Sequence, residues 1–170
     1  MTVILGIDPG LAATGYGILR LEGNRFTHLA HGVIRTPADM VSGKRLLLLF
    51  DELIQLIHTY HPQEAGVESL YFARNATSAI PVAQARGVVL LALSRAGMSY
   101  AEYPPQAIKQ GVVGSGRAAK EQVQELVRVI LGLDGIPRPD HAADALAAAI
   151  CHGNTALFQS RAGRAAGGEE

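Results

Sequence analysis

Val3-Ile4-Leu5-Gly6-Ile7-Asp8-Pro9-Gly10 is the stretch from which the rest of the chain can be placed. A short apolar run stopped by Pro-Gly has the length and boundaries of a buried strand. A carboxylate at the end of such a strand is costly to desolvate unless it binds something, so Asp8 is the first candidate for chemistry. Thr14-Gly15-Tyr16-Gly17-Ile18-Leu19 follows after a short turn as a second strand. That return brings backbone and hydroxyl groups near the Asp8 carboxylate, an arrangement suited to a cation or a phosphate. Residues 26–34 read as a third strand, with Gly32 a candidate bulge and Thr36-Pro37 its stop. Three strands joined by short turns predict an antiparallel meander. Taken alone, Asp-Pro-Gly is as often an ordinary turn as a site.

Beyond the meander the periodicity changes. Leu46, Leu49, Phe50, Leu53, Ile54 and Ile57 recur at helical spacing over 41–60, and His61-Pro62 ends the run. Ala65-Gly66-Val67-Glu68 is a short strand. A second helix follows over 81–95, with Gly87 allowing close packing. It is apolar on more than one side, which fits either deep burial or a dimer seam. Residues 98–103 make a further strand, stopped by Pro104-Pro105. A helix over 106–111, the loop Val113-Gly114-Ser115-Gly116, a helix carrying Val123, Leu126, Val127, Ile130 and Leu131, and a last helix over 140–152 complete the pattern. The alternation predicts an α/β domain over 1–155. Residues 156–170, rich in Gly, Ala and charge with no face to bury, are expected to form a disordered tail.

Composition sets the surroundings. A chain of 170 residues, 48% of them apolar, can bury a sizeable core as one domain. Its apolar stretches, such as 46–50 and 88–93, are too short to cross a bilayer, and no basic leader precedes the first one. A cytoplasmic protein with no membrane association is expected. The single cysteine, Cys151, lies in an Ala-rich helical pattern and reads as a small core residue. Fifteen basic residues against fifteen acidic ones exclude a strong global positive field, so any nucleic-acid binding would use a local patch.

Glu68 repeats the logic of Asp8: an acid at the carboxyl edge of a short apolar strand. On the last helix, His141 and Asp144 are three residues apart and project from one face of the first turn, while Asp140 is placed as the helix N-cap. Separately, His141 reads as a surface residue and Asp144 as a partner of the helix dipole. Converging, three carboxylates and an imidazole make a hard-cation site that suits Mg2+ or Mn2+.

Gly6-Ile7-Asp8-Pro9-Gly10 with Thr14-Gly15-Tyr16-Gly17, then Glu68, Gln84-Ala85-Arg86-Gly87, Lys109-Gln110, Val112-Val113-Gly114 and Asp144-Ala145-Leu146-Ala147 closely resemble the RuvC family of bacterial Holliday junction resolvases. The resemblance runs in order over 1–152. It implies a ribonuclease H-like α/β fold with a central mixed five-stranded sheet flanked by helices. The implied activity is that of a crossover junction endodeoxyribonuclease, active as a homodimer, that resolves four-way DNA junctions by paired symmetric nicks in recombination and repair. Position by position it assigns metal binding and catalysis to Asp8, Glu68 and Asp144, with His141 completing the set around two metal ions, Mg2+ or Mn2+. Many family members carry Asp at the position of His141, a difference that bears on metal preference and pH profile. Two cations about 4 Å apart suit phosphodiester hydrolysis, because they stabilise charge on the entering and leaving oxygens together. The resemblance also implies the branch-migration proteins RuvA and RuvB as partners.

For DNA binding the candidates are Arg74, Arg86, Lys109, Arg117 and Lys120, which lie near loops or helix starts. The resemblance places Lys109 and Lys120 by the active site facing phosphates, and a stacking aromatic at Tyr71. Phe72 reads as core. Rival classes are a phosphate-binding strand-turn of actin-like ATPases and sugar kinases, a related nuclease acting on RNA, and a binder of branched DNA that does not cut. The first needs two such domains and leaves Glu68, His141 and Asp144 without a purpose. The intact acidic set speaks against a binder that does not cut.

Overall fold

β1 (Thr2–Asp8) is the central strand of a five-stranded sheet in the computed structural model, which describes residues 1–69 and 76–166. β2 (Ala13–Glu22) and β3 (Arg25–Arg35) complete the expected antiparallel meander on one side of it. β4 (Glu64–Glu68) pairs parallel with β1 on the other side, and β5 (Ser99–Tyr103) parallel with β4, giving the order β3-β2-β1-β4-β5. The helices are α1 (Ser42–Tyr60), α2 (Ala76–Arg95), α3 (Pro105–Val113), α4 (Lys120–Leu131) and α5 (Asp140–Ala166).

The period-two alternation of the strands sorts two cores. Leu5, Ile7, Ile18, Ala65 and Val67 pack under Leu49, Leu53, Val89 and Leu93 of α1 and α2. Ile4, Leu19 and Phe26 pack on the opposite face with Val127, Leu146 and Ile150 of α4 and α5. On that second face the alternation places Gly6 and Asp8 of β1 and Gly66 and Glu68 of β4. Gly17, Gly6 and Gly66 are paired across three strands. A Cβ at Gly6 would overlap the carbonyl oxygen of Ala145, so α5 rests directly on sheet backbone. The helix answers with small residues: Ala142, Ala143, Ala145, Ala147, Ala148 and Ala149 are all buried. This close seating carries the head of α5 over the ends of β1 and β4.

Several local expectations are corrected. The irregularity in β3 falls at Leu29, because Ala30 pairs with Ile18 and His28 with Leu19; Gly32 is instead regularly paired with Tyr16, whose ring fills the space a side chain would need. Gly87 faces open space and serves no close packing. α2 begins at Ala76 and takes Pro81 into its interior, losing one intrahelical hydrogen bond. α5 continues as helix to Ala166 where 156–170 was expected to be a disordered tail, and Leu157 packs on the core beyond the expected domain end at residue 155. An established helix extends at little cost through Ala- and Arg-rich sequence, which needs no buried face. Among the described residues no helix is long and apolar enough to cross a membrane.

Candidate functional site

Asp8 and Glu68 end two adjacent parallel strands, so their side chains leave the same edge of the sheet on the same face. α5 delivers His141 and Asp144 to that edge from its first turn. His141 Nδ1 lies 2.6 Å from Asp8 Oδ2, and one ligand atom each from Asp8, His141 and Asp144 falls within 4.8 Å of the others. A carboxylate acceptor requires the imidazole proton on Nδ1, which leaves Nε2 as the free lone pair. Glu68 lines a cavity with Asp144, Lys109 and Lys120, walled by Pro105, Ile108, Val123 and Ala147. All four residues expected to form the acidic set are therefore brought to one place.

Their electrostatics are unbalanced. Burial raises the pKa of Asp8, with Asp144 adding to the rise and the His141 hydrogen bond and charge opposing it. Glu68 is pushed up to about 8, first by burial and then by the charges of Asp8 and Asp144, against the pull of Lys120 and Lys109. Carboxylates held together at this cost are what a bound cation relieves. Carboxylate oxygens with one imidazole nitrogen form a donor set that fits a hard divalent ion.

Lys120, the first residue of α4, places Nζ 3.1 Å from Asp144 Oδ2 and 3.3 Å from Asp140 Oδ2. Burial lowers its pKa, but the hydrogen bonds and charges of Asp144 and Asp140 outweigh that and leave it raised. Asp140 is not the N-cap expected from the sequence. The carbonyl of Pro139 accepts from the amides of Ala142 and Ala143, so Asp140 is the first helical residue. Its Oδ1 accepts from Arg138 Nη1 at 2.7 Å and Gln124 Nε2 at 3.3 Å, making Asp140 a brace between Lys120 and the loop before α5. Sequence reasoning missed that role, although the Asp-His pair heading the helix marks the place. Thr14 is fully buried, and its hydroxyl donates to Gly10 O at 2.6 Å and accepts from Gly10 N at 3.2 Å. It fastens the turn behind Asp8 rather than facing the carboxylate.

The basic candidates separate. Lys109 and Lys120 face Glu68 across the cavity, and Arg117 is exposed on the turn before α4. Arg86 is held by Glu102 of β5 through two hydrogen bonds of 2.6 Å, so its guanidinium is engaged in an ion pair. Tyr71 and Arg74 lie outside the described residues. Cys151 is buried as expected, its thiol pushed up to about 11 by burial.

A sequence profile of the RuvC crossover junction endodeoxyribonuclease matches residues 4–152. The chain belongs to the RuvC family. The RuvC of Treponema denticola is 58% identical over 147 residues, 86% of this chain and 83% of that one. The structure of Thermus thermophilus RuvC superimposes with a TM-score of 0.86 at 36% identity, over 92% of this chain and 96% of the other. The same protein, solved in complex with a Holliday junction substrate, gives 0.84 at 34% identity with the same coverage. The ribonuclease H-like α/β fold expected from the sequence is thus the fold of this RuvC-family chain.

Proposed function

We propose that this chain is a crossover junction endodeoxyribonuclease, which nicks four-way DNA junctions at the site built from Asp8, Glu68, His141 and Asp144. The observation that carries this is the convergence of three acids at one sheet edge, with Glu68 pushed up to about 8. Two Mg2+ or Mn2+ ions, when bound, would polarise the scissile phosphate and the attacking water. The protein's own groups prepare the place. Asp8, between the other acids, is the bridging ligand, with Glu68 and Asp144 anchoring either side. The Asp8 carboxylate orients the His141 ring through Nδ1 and leaves Nε2 for an ion or a water proton. Lys120 holds Asp144 in place and, with Lys109, offers charge to the DNA phosphates beside the cavity. Arg117 and the undescribed Tyr71 and Arg74 extend that contact; Arg86 contributes only if it leaves Glu102.

A junction presents two equivalent strands, and one site serves one strand at a time. A twofold homodimer supplies the second. Val89 is fully buried and takes no part in a seam, whereas Ile80 and Leu91, on the outward stripe of α2 with Gly87 between them, are 61% and 60% exposed. A cytoplasmic setting with the branch-migration proteins RuvA and RuvB follows from the family. The test is cleavage of a synthetic four-way junction with Mg2+ or Mn2+. Paired symmetric nicks, with linear duplex and structured RNA spared, are expected. Cutting of RNA, or junction binding without cutting, would contradict the proposal.

A further inference from the structure

We propose that the corner between β3 and α1, bearing Arg35, Lys44 and Arg45, is a second contact for the phosphates of a junction arm. It lies on the flank of the acids opposite Lys109 and Lys120. The proposal rests on the junction-cutting function above and concerns how the same site is fed.

β1 and β3 point the same way. Asp8 pairs with Gly15 and Ala13 with Arg35, so Arg35 stands at the acid-bearing end of the sheet, two strands across from Asp8. At about 4.8 Å per strand that is roughly 10 Å sideways, a distance a DNA strand covers in about three nucleotides of rise. Glu68, Lys109 and Lys120 stand on the other side of Asp8, toward β4. A strand cut at Asp8 continues in both directions, and the two lysines serve only one of them.

The corner is fastened to the catalytic turn. Thr36 donates from its amide to Ala12 O at 3.2 Å and from its hydroxyl to Leu11 O, and Arg45 Nε donates to the same hydroxyl at 2.8 Å. Residues just past Asp8 are thus tied to the start of α1, which fixes the spacing between the acids and the corner. Arg35 and Lys44 are exposed, and among the described residues neither forms an ion pair. Lys120, Arg86, Arg128 and Arg138, by contrast, all face acids. Asp39 is the acid of the 35–45 segment, and the next, Asp51 and Glu52, follow lower on α1. A neutral chain therefore keeps a local excess of unengaged positive charge where a polyanionic strand must pass.

The experiment compares junction affinity across salt concentrations, in Ca2+ to prevent cutting, for the wild type and for Arg35→Ala/Lys44→Ala. Two lost phosphate contacts should lower the log-log salt slope by about 2 and weaken binding about tenfold near physiological salt. Arg35→Lys/Lys44→Arg should keep the wild-type slope, and Arg25→Ala/Arg95→Ala, with the same loss of charge away from the corner, should bind as the wild type does. If the first double variant keeps the full slope, or if the remote double variant loses as much, the corner is not a contact. A wild type that neither binds nor cuts the junction would overturn instead the function on which the proposal rests.

Discussion

α5 makes the same kind of pair twice. His141 meets Asp8 at the head of the helix, and His152, about three turns further on and on the same face, meets Glu64 at the start of β4. The pairs are 2.6 and 3.0 Å long, yet the His141 side chain is 51% exposed and that of His152 only 11%. What differs is the company. Both ring nitrogens of His152 are occupied, one by Glu64 and the other by the Tyr103 hydroxyl at 3.0 Å. Around His141, Asp144 and Glu68 crowd the same space with Lys120 as the adjacent cation. An imidazole–carboxylate pair whose lone pairs are all answered is a clamp. The same pair beside surplus acids is a place for a cation.

The sharpest way to break this contrast is at the head of the helix. Asp8→Asn keeps the shape and removes charge, so junction cleavage should fall at least about a thousandfold while binding persists. Single-turnover rates within tenfold of the wild type would remove Asp8 from the chemistry. Next comes the seating that both pairs share. Gly6→Ala sets a methyl against the Ala145 carbonyl, and a loss of about 3 kcal/mol in chemical denaturation is expected. An unchanged midpoint would show that α5 is not held by contact with bare backbone.

At the other end, His152→Ala leaves Glu64 and the Tyr103 hydroxyl unanswered in a partly buried place, at about 2 kcal/mol of stability. Cleavage by the folded fraction should be unaffected, whereas a loss of turnover without a loss of stability would erase the distinction between the ends. The smallest effect concerns Glu68. Its folded pKa is raised to about 8, so the metal-free folded state retains a proton that the unfolded chain releases above its ordinary value near 4.5. Stability therefore falls as pH rises through that window. Glu68→Gln should remove this slope and leave the metal-free protein more stable by about 1–2 kcal/mol at pH 8. Parallel pH–stability curves would mean that the carboxyl is not strained.

The acids were legible in the sequence because each sits where a local pattern ends: Asp8 and Glu68 after short apolar runs, His141 and Asp144 one turn apart at a helix start. Fold class followed from the switch between period two and period 3.6. The bulge at Leu29 was not legible, since register is decided by which residues of two strands meet and not by either strand alone. Nor was the engagement of Arg86, whose partner Glu102 comes from a separate strand. Gly32 and Gly87 look alike in sequence, but one makes room for Tyr16 and the other faces solvent. The buried side of α2, Val89 included, was hidden by its apolar residues on several faces. The brace at Asp140 needed the position of α4, which no local pattern supplies.

The central claim is that the acids at the head of α5 are strained because a divalent cation belongs among them. Thermal unfolding of the metal-free protein at pH 7.5, titrated with Mn2+ or Mg2+, tests it most directly. Binding to the folded state alone should raise the wild-type midpoint steadily with the logarithm of ion concentration once the site saturates, and Asp8→Asn should show almost none of that rise. A wild type indifferent to both ions, or an equal rise in Asp8→Asn, would contradict the account.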